Sequence, residues 1–203
     1  LLGQFYYFTV HVITNYIHMK LSCMGDSITN GHGLDSKLRW TSLLASRLDI
    51  EVSNHGVSGD TTGGMVGRFD YMLRSEQPKY VFIMGGTNDL SFGLSDSLII
   101  SNIKTMTRQA RHLGIQYIIG VPSTYYPSND ANLYEINVDE FVLRLKGLQA
   151  RLKEFIQIDQ CASIDFSYGL QRNHFLEDGI HPNASGQVIM AEKSIEVIRE
   201  IYY

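Results

Sequence analysis

The sequence predicts an α/β protein with one parallel sheet covered by helices on both faces, and two patterns carry that reading. Solid apolar runs such as YVFIM at residues 80–84 are what strands buried on both faces require. Between them lie longer stretches with apolar residues at three- and four-residue steps, as expected of helices packed on such a sheet. With 203 residues and 44% hydrophobic content, the chain has the size and core material of a single domain.

The first strand falls near residues 20–24, where Leu21, Ser22, Cys23 and Met24 precede a glycine. Residues 36–48 carry Leu38, Leu43, Leu44 and Leu48 near helical spacing, with Trp40 as an anchor, and read as a helix. A short strand at residues 50–53 follows, then a loop rich in glycine (Gly56, Gly59, Gly63, Gly64, Gly67) and a helical stretch to about Arg74. Pro78 ends that unit, and Gly85-Gly86 ends the strand at 80–84. The next helix runs from Asp96, as its cap, to Leu113, and QYIIGV at 116–121 is another buried strand.

Pro122 opens the longest connection, STYYPSNDANLYE, whose Tyr125, Tyr126 and Tyr134 could meet a ligand but are read as packing the loop down. From Val138 the set Phe141, Val142, Leu145, Leu148, Leu152 and Phe155 marks an amphipathic helix whose outward face carries Arg144, Lys146, Arg151 and Lys153. A strand at residues 162–166 and a helix from about Ala184 complete the chain.

Bulk properties exclude several functions. A net charge of −4 with no long block of either sign leaves no nucleic-acid or anionic-membrane footprint, so the expected partner is a small molecule. Cys23 and Cys161 sit in apolar, strand-like contexts that suit reduced thiols, which gives a cytoplasmic expectation. Residues 1–18 lack the basic leader and cleavage site of a signal peptide and are too polar to span a membrane. They are read as an extension ahead of Met19, leaving 19–203 as the domain.

Ligands of parallel sheets bind outside the carboxyl ends of the strands, so polar clusters that follow strands are the ones to question. Ser27, in GDSIT, follows the first strand; a serine hydroxyl there is a nucleophile only if a base reaches it. Gly59, in NHGVSGDTT, follows the second, where glycine lets backbone N–H groups approach an anion. Asn88, in GGTND, follows the third and offers a side-chain amide donor. In DGIHPN, Asp178 precedes His181 by three residues and can fix the imidazole tautomer. The rival metal reading finds no His-x-x-x-His or paired-cysteine spacing to complete it.

Together and in this order, the four clusters supply what acyl transfer needs: nucleophile, oxyanion donors, and a base with its orienter. They also resemble the blocks of the GDSL-type, or SGNH, hydrolases, whose Ser, Gly, Asn and His fall here on Ser27, Gly59, Asn88 and His181, with Asp178 beside the last. The resemblance implies a flavodoxin-like fold with five parallel strands and a Ser27–His181–Asp178 triad. It also implies an oxyanion hole from Ser27, Gly59 and Asn88, and no metal or organic cofactor. The implied activity is hydrolysis of small or short-chain acyl esters through an acyl-serine. Carbohydrate O-acetylesterase, thioesterase or lysophospholipase, and acyltransferase chemistry are alternatives at the same site. Asp26 and Asp89 are expected to bond loop backbone and His55 to line the cleft, while His32, His112 and His174 are expected at the surface or in packing.

Overall fold

Every side chain along Tyr80–Met84 is buried, because this strand is covered on both sides. Val81 and Ile83 point into one apolar layer, while Tyr80, Phe82 and Met84 point into the other. The computed structural model describes residues 19–127 and 137–202. Its strands β1 (Lys20–Gly25), β2 (Glu51–Gly56), β3 (Tyr80–Met84), β4 (Gln116–Val121) and β5 (Ala162–Asp165) form one sheet in the order β2-β1-β3-β4-β5. Each neighbouring pair is parallel.

Among the described residues there are seven α-helices, six between strands and one after the last: α1 (Ser27–Asn30), α2 (Trp40–Leu48), α3 (Thr62–Glu76), α4 (Thr87–Ser91), α5 (Asp96–His112), α6 (Val138–Asp159) and α7 (Ala184–Tyr202). Helices α3, α5 and α6 cover one face through Met65, Phe69, Ile99, Ile103, Phe141 and Leu148. Helices α2 and α7 cover the other through Trp40, Leu44, Met190 and Ile198. The Trp40 ring meets Phe82 edge-on at 5.2 Å there. The result is the three-layer α/β/α arrangement on five parallel strands.

The chain runs from β1 outward to β2, then crosses back to β3 on the other side of β1. That reversal opens a crevice at the carboxyl ends of β1 and β3, the topological switch point at which such sheets bind ligands.

Several boundaries differ from the sequence reading. The helix expected over residues 36–48 is split: Asp35 caps a 3-10 turn at Ser36–Leu38, Arg39 is extended, and α2 starts at Trp40. The Trp40 N–H is drawn to Gln187 Oε1 of α7 at 2.7 Å, which fixes the break. Gly63, Gly64 and Gly67 belong to α3 and not to a loop. Thr61 caps that helix, and burial of Met65, Phe69, Met72 and Leu73 outweighs the roughly 1 kcal/mol that each glycine costs. Strand β2 extends to Gly56 because Asn54–Gly56 pair with Cys23–Gly25. Ser95, not Asp96, caps α5. Arg144 does not face outward: it donates to the carbonyls of Leu90 in α4 and of Leu94 just beyond that helix. Residues 1–18 and Tyr134 lie outside the described residues.

Candidate active site

The site begins with three strand ends in register. Gly25, the last residue of β1, pairs with Gly56 on one side and Met84 on the other. Ser27 therefore emerges between the loop that carries Gly59 and the turn that carries Asn88. Asp26 turns the chain by accepting the Ile28 N–H at 2.9 Å, which starts the one-turn helix α1 at Ser27. Gly56 is what lets α1 lie this close, since a Cβ there would come within 2.2 Å of the Asn30 nitrogen.

His181 and Asp178 reach Ser27 from the loop before α7. Asp178 Oδ1 accepts the backbone N–H groups of Ile180 (2.8 Å) and His181 (3.0 Å), which leaves Oδ2 for His181 Nδ1 at 2.7 Å. Burial alone would raise the Asp178 pKa, but the His181 ring and these two N–H groups outweigh it and hold the carboxyl below its ordinary range. An ionised Asp178 keeps the hydrogen on Nδ1. The Nε2 lone pair then faces Ser27 Oγ, 2.9 Å away, and Ser27 itself is 7% exposed. Such a relay can take the serine proton as the oxygen attacks an electrophile.

The sequence-predicted oxyanion residues form a second grouping beside the relay. Asn88 Nδ2 donates to the Asp60 carbonyl at 2.9 Å, which ties the start of α4 to the Gly59 loop. A primary amide has two N–H bonds, so one remains for a ligand. Gly59 has φ +81° with open space around its Cα, a conformation that favours glycine. The loop is pinned by Arg68, which pairs with Asp60 and donates to the carbonyls of His55 (2.8 Å) and Gly25 (3.0 Å). Buried Asp89 holds the start of α3 through the Thr62 N–H at 2.8 Å and the Thr62 hydroxyl.

One histidine stands differently from expectation, and another makes a contact that was not foreseen. His55 does not line the cleft; its Nε2 is paired with Glu76 at 2.9 Å. His32 is exposed, as expected, and its ring also lies tilted against the His181 ring with centroids 4.5 Å apart. A ring contact between distant segments leaves no local mark in the sequence. Arg68 and Arg144 were missed too, because nothing local says which carbonyls they will meet. Tyr125 and Tyr126 pack: Tyr125 is buried edge-on against Phe141, and the Tyr126 hydroxyl donates to the Leu170 carbonyl at 2.8 Å. Among the described residues, no group of three or more His, Cys, Asp or Glu side chains is arranged to hold a metal ion. No helix among them is long and apolar enough to cross a membrane.

Residues 23–189 match the model of the GDSL-like lipase/acylhydrolase family. The chain belongs to this family. With the family comes its class, the carboxylic ester hydrolases. Among curated relatives, an esterase, TesA, of Pseudomonas aeruginosa is 35% identical over 115 residues, which cover 53% of this chain and 57% of that one. An arylesterase of Vibrio mimicus is 28% identical over 85% of this chain and 84% of its own. The structure of an aryl esterase from M. smegmatis superposes with a TM-score of 0.80 at 19% identity, covering 90% of this chain and 99% of the other, which speaks to the fold alone. The GDSL motif of this member is GDSIT, and the family match spans all four clusters.

Proposed function

We propose that this GDSL-family member hydrolyses small or short-chain acyl esters through an acyl-serine formed on Ser27. The observation that carries the proposal is the unbroken relay from Ser27 Oγ to His181 Nε2 (2.9 Å) and from His181 Nδ1 to Asp178 Oδ2 (2.7 Å).

His181 takes the Ser27 proton as Oγ attacks the ester carbonyl, and the imidazolium so formed is paired with Asp178. The carbonyl oxygen becomes an oxyanion, for which the free N–H of Asn88 and the backbone N–H groups of Gly59 and Ser27 are the proposed donors. Collapse breaks the bond to the alkoxide, which leaves as an alcohol with the proton from His181. Water then attacks the acyl-serine with His181 again as base, releasing the acid and restoring Ser27.

The preference for plain acyl esters draws on two tyrosines of the segment after β4. Tyr125 and Tyr126 are committed to packing, which leaves neither as a platform for a sugar ring. Nitrophenyl esters of increasing chain length, assayed beside acetylated sugars and acyl thioesters, test the proposal. Greatest turnover on acetyl to butyryl nitrophenyl esters is expected, together with its loss in Ser27→Ala. Equal activity in wild type and Ser27→Ala would overturn it.

A further inference from the structure

The proposed reaction leaves one imidazole at the site unused. His32 lies against His181 with ring centroids 4.5 Å apart and planes inclined by 38°. Its backbone N–H donates to the Ser27 carbonyl at 3.0 Å, so its place is fixed by the same turn that presents the serine.

A chain of polar groups reaches this ring from the other side. The Arg39 guanidinium donates to Asn30 Oδ1 at 2.9 Å, which turns the Asn30 amide nitrogen toward Ser58 Oγ, 3.5 Å away. Ser58 Oγ lies in turn 3.5 Å from His32 Nδ1. The Ser58 hydroxyl, with one hydrogen to give and two lone pairs, is thus within reach of both the Asn30 amide and the His32 ring. Charged and polar groups face His32 from three elements. The last loop brings His181 with Asp178 already bonded to it, and Arg39 adds positive charge beyond Asn30. From the β2–α3 loop comes neutral Ser58, while Asp60 is paired with Arg68.

We infer that His32 is a positioning residue whose ring, when uncharged, steadies the imidazolium form of His181, and that a positive charge at this position slows the acyl-transfer step. The inference rests on the proposed roles of Ser27, His181 and Asp178. During attack His181 becomes the cation. A neutral aromatic ring attracts that charge, whereas a protonated His32 repels it. At this separation, near solvent, the repulsion is worth about tenfold in rate.

The test is the pH dependence of kcat on nitrophenyl acetate at low salt, for wild type, His32→Phe and His32→Lys, with Ser27→Ala as control. Wild type is expected to lose activity on the acid side by two protonations and His32→Phe by one. His32→Lys, carrying a fixed charge, is expected to turn over about tenfold more slowly with little change in KM, and added salt should restore part of the loss. His32→Gln, neutral and smaller, repeats the acid-side comparison independently of the phenyl ring. An identical acid limb in wild type and both neutral variants, or wild-type turnover in His32→Lys, overturns the inference. Activity that survives Ser27→Ala overturns the esterase reading beneath it.

Discussion

A Cβ placed on Gly179 would lie 1.7 Å from the carbonyl oxygen of Tyr126, while the Tyr126 N–H donates to the Gly179 carbonyl at 3.0 Å. Gly179 also has φ +69°, in the left-handed region that favours glycine. The loop bearing Asp178 and His181 is therefore seated against the segment after β4 by contacts that only glycine permits. Gly179→Ala should push that loop away from Ser27. A shift of about 1 Å is enough to lower kcat by about 10²-fold. Turnover measured alongside a melting curve checks this: wild-type kcat in the folded variant would show that the seat does not set the relay.

Asp26 gives a pH-dependent stability effect of definite sign. Burial pushes its carboxyl up to about 7, with Asp89 and Asp60 adding to the rise against the opposing Ile28 N–H. A folded pKa above the unfolded value of about 3.9 means that the group favours folding fully below about pH 4 and loses that contribution as pH rises to about 7. Asparagine caps a helix as well as aspartate but stays neutral. Asp26→Asn should thus match wild type near pH 4 and exceed it at pH 8, by on the order of a few kcal/mol. Denaturant midpoints at the two pH values decide it, and a gap that does not change with pH would contradict the assignment.

Asn88 separates catalysis from architecture. Its amide holds the Asp60 carbonyl at 2.9 Å and is proposed to give its second N–H to the oxyanion. Asn88→Ala should lower kcat by about 10²–10³-fold, as removal of one such donor does elsewhere. KM should move much less. Loss of KM alone, with kcat preserved, would assign Asn88 to substrate binding or loop structure.

What could be read from the sequence was local, and what could not was set by meetings between distant segments. The run at Tyr80–Met84 announces a doubly covered strand because each residue is apolar, and GDSIT, GGTND and DGIHPN announce themselves by their place after strands or before a helix. His32 carries no such mark. Its contact is a ring brought from the last loop, and only the sheet order β2-β1-β3-β4-β5 with α7 folded back across it creates that meeting. Arg144 looked like an outward charge because helical spacing gives the angle around α6, not the carbonyls of Leu90 and Leu94 waiting opposite. Gly63, Gly64 and Gly67 read as loop by propensity, which carries no information about the packing of Met65 and Phe69 that holds them in a helix.

The central claim is that Ser27 carries the acyl group between the two halves of the reaction. Intact-mass analysis of enzyme quenched during turnover of a slowly deacylated nitrophenyl ester, followed by peptide mapping, tests it most directly. One added acyl group is expected on Ser27 in wild type and none in Ser27→Ala, accumulating in step with a burst of nitrophenol. Acylation at another residue, or undiminished hydrolysis by Ser27→Ala, would contradict it.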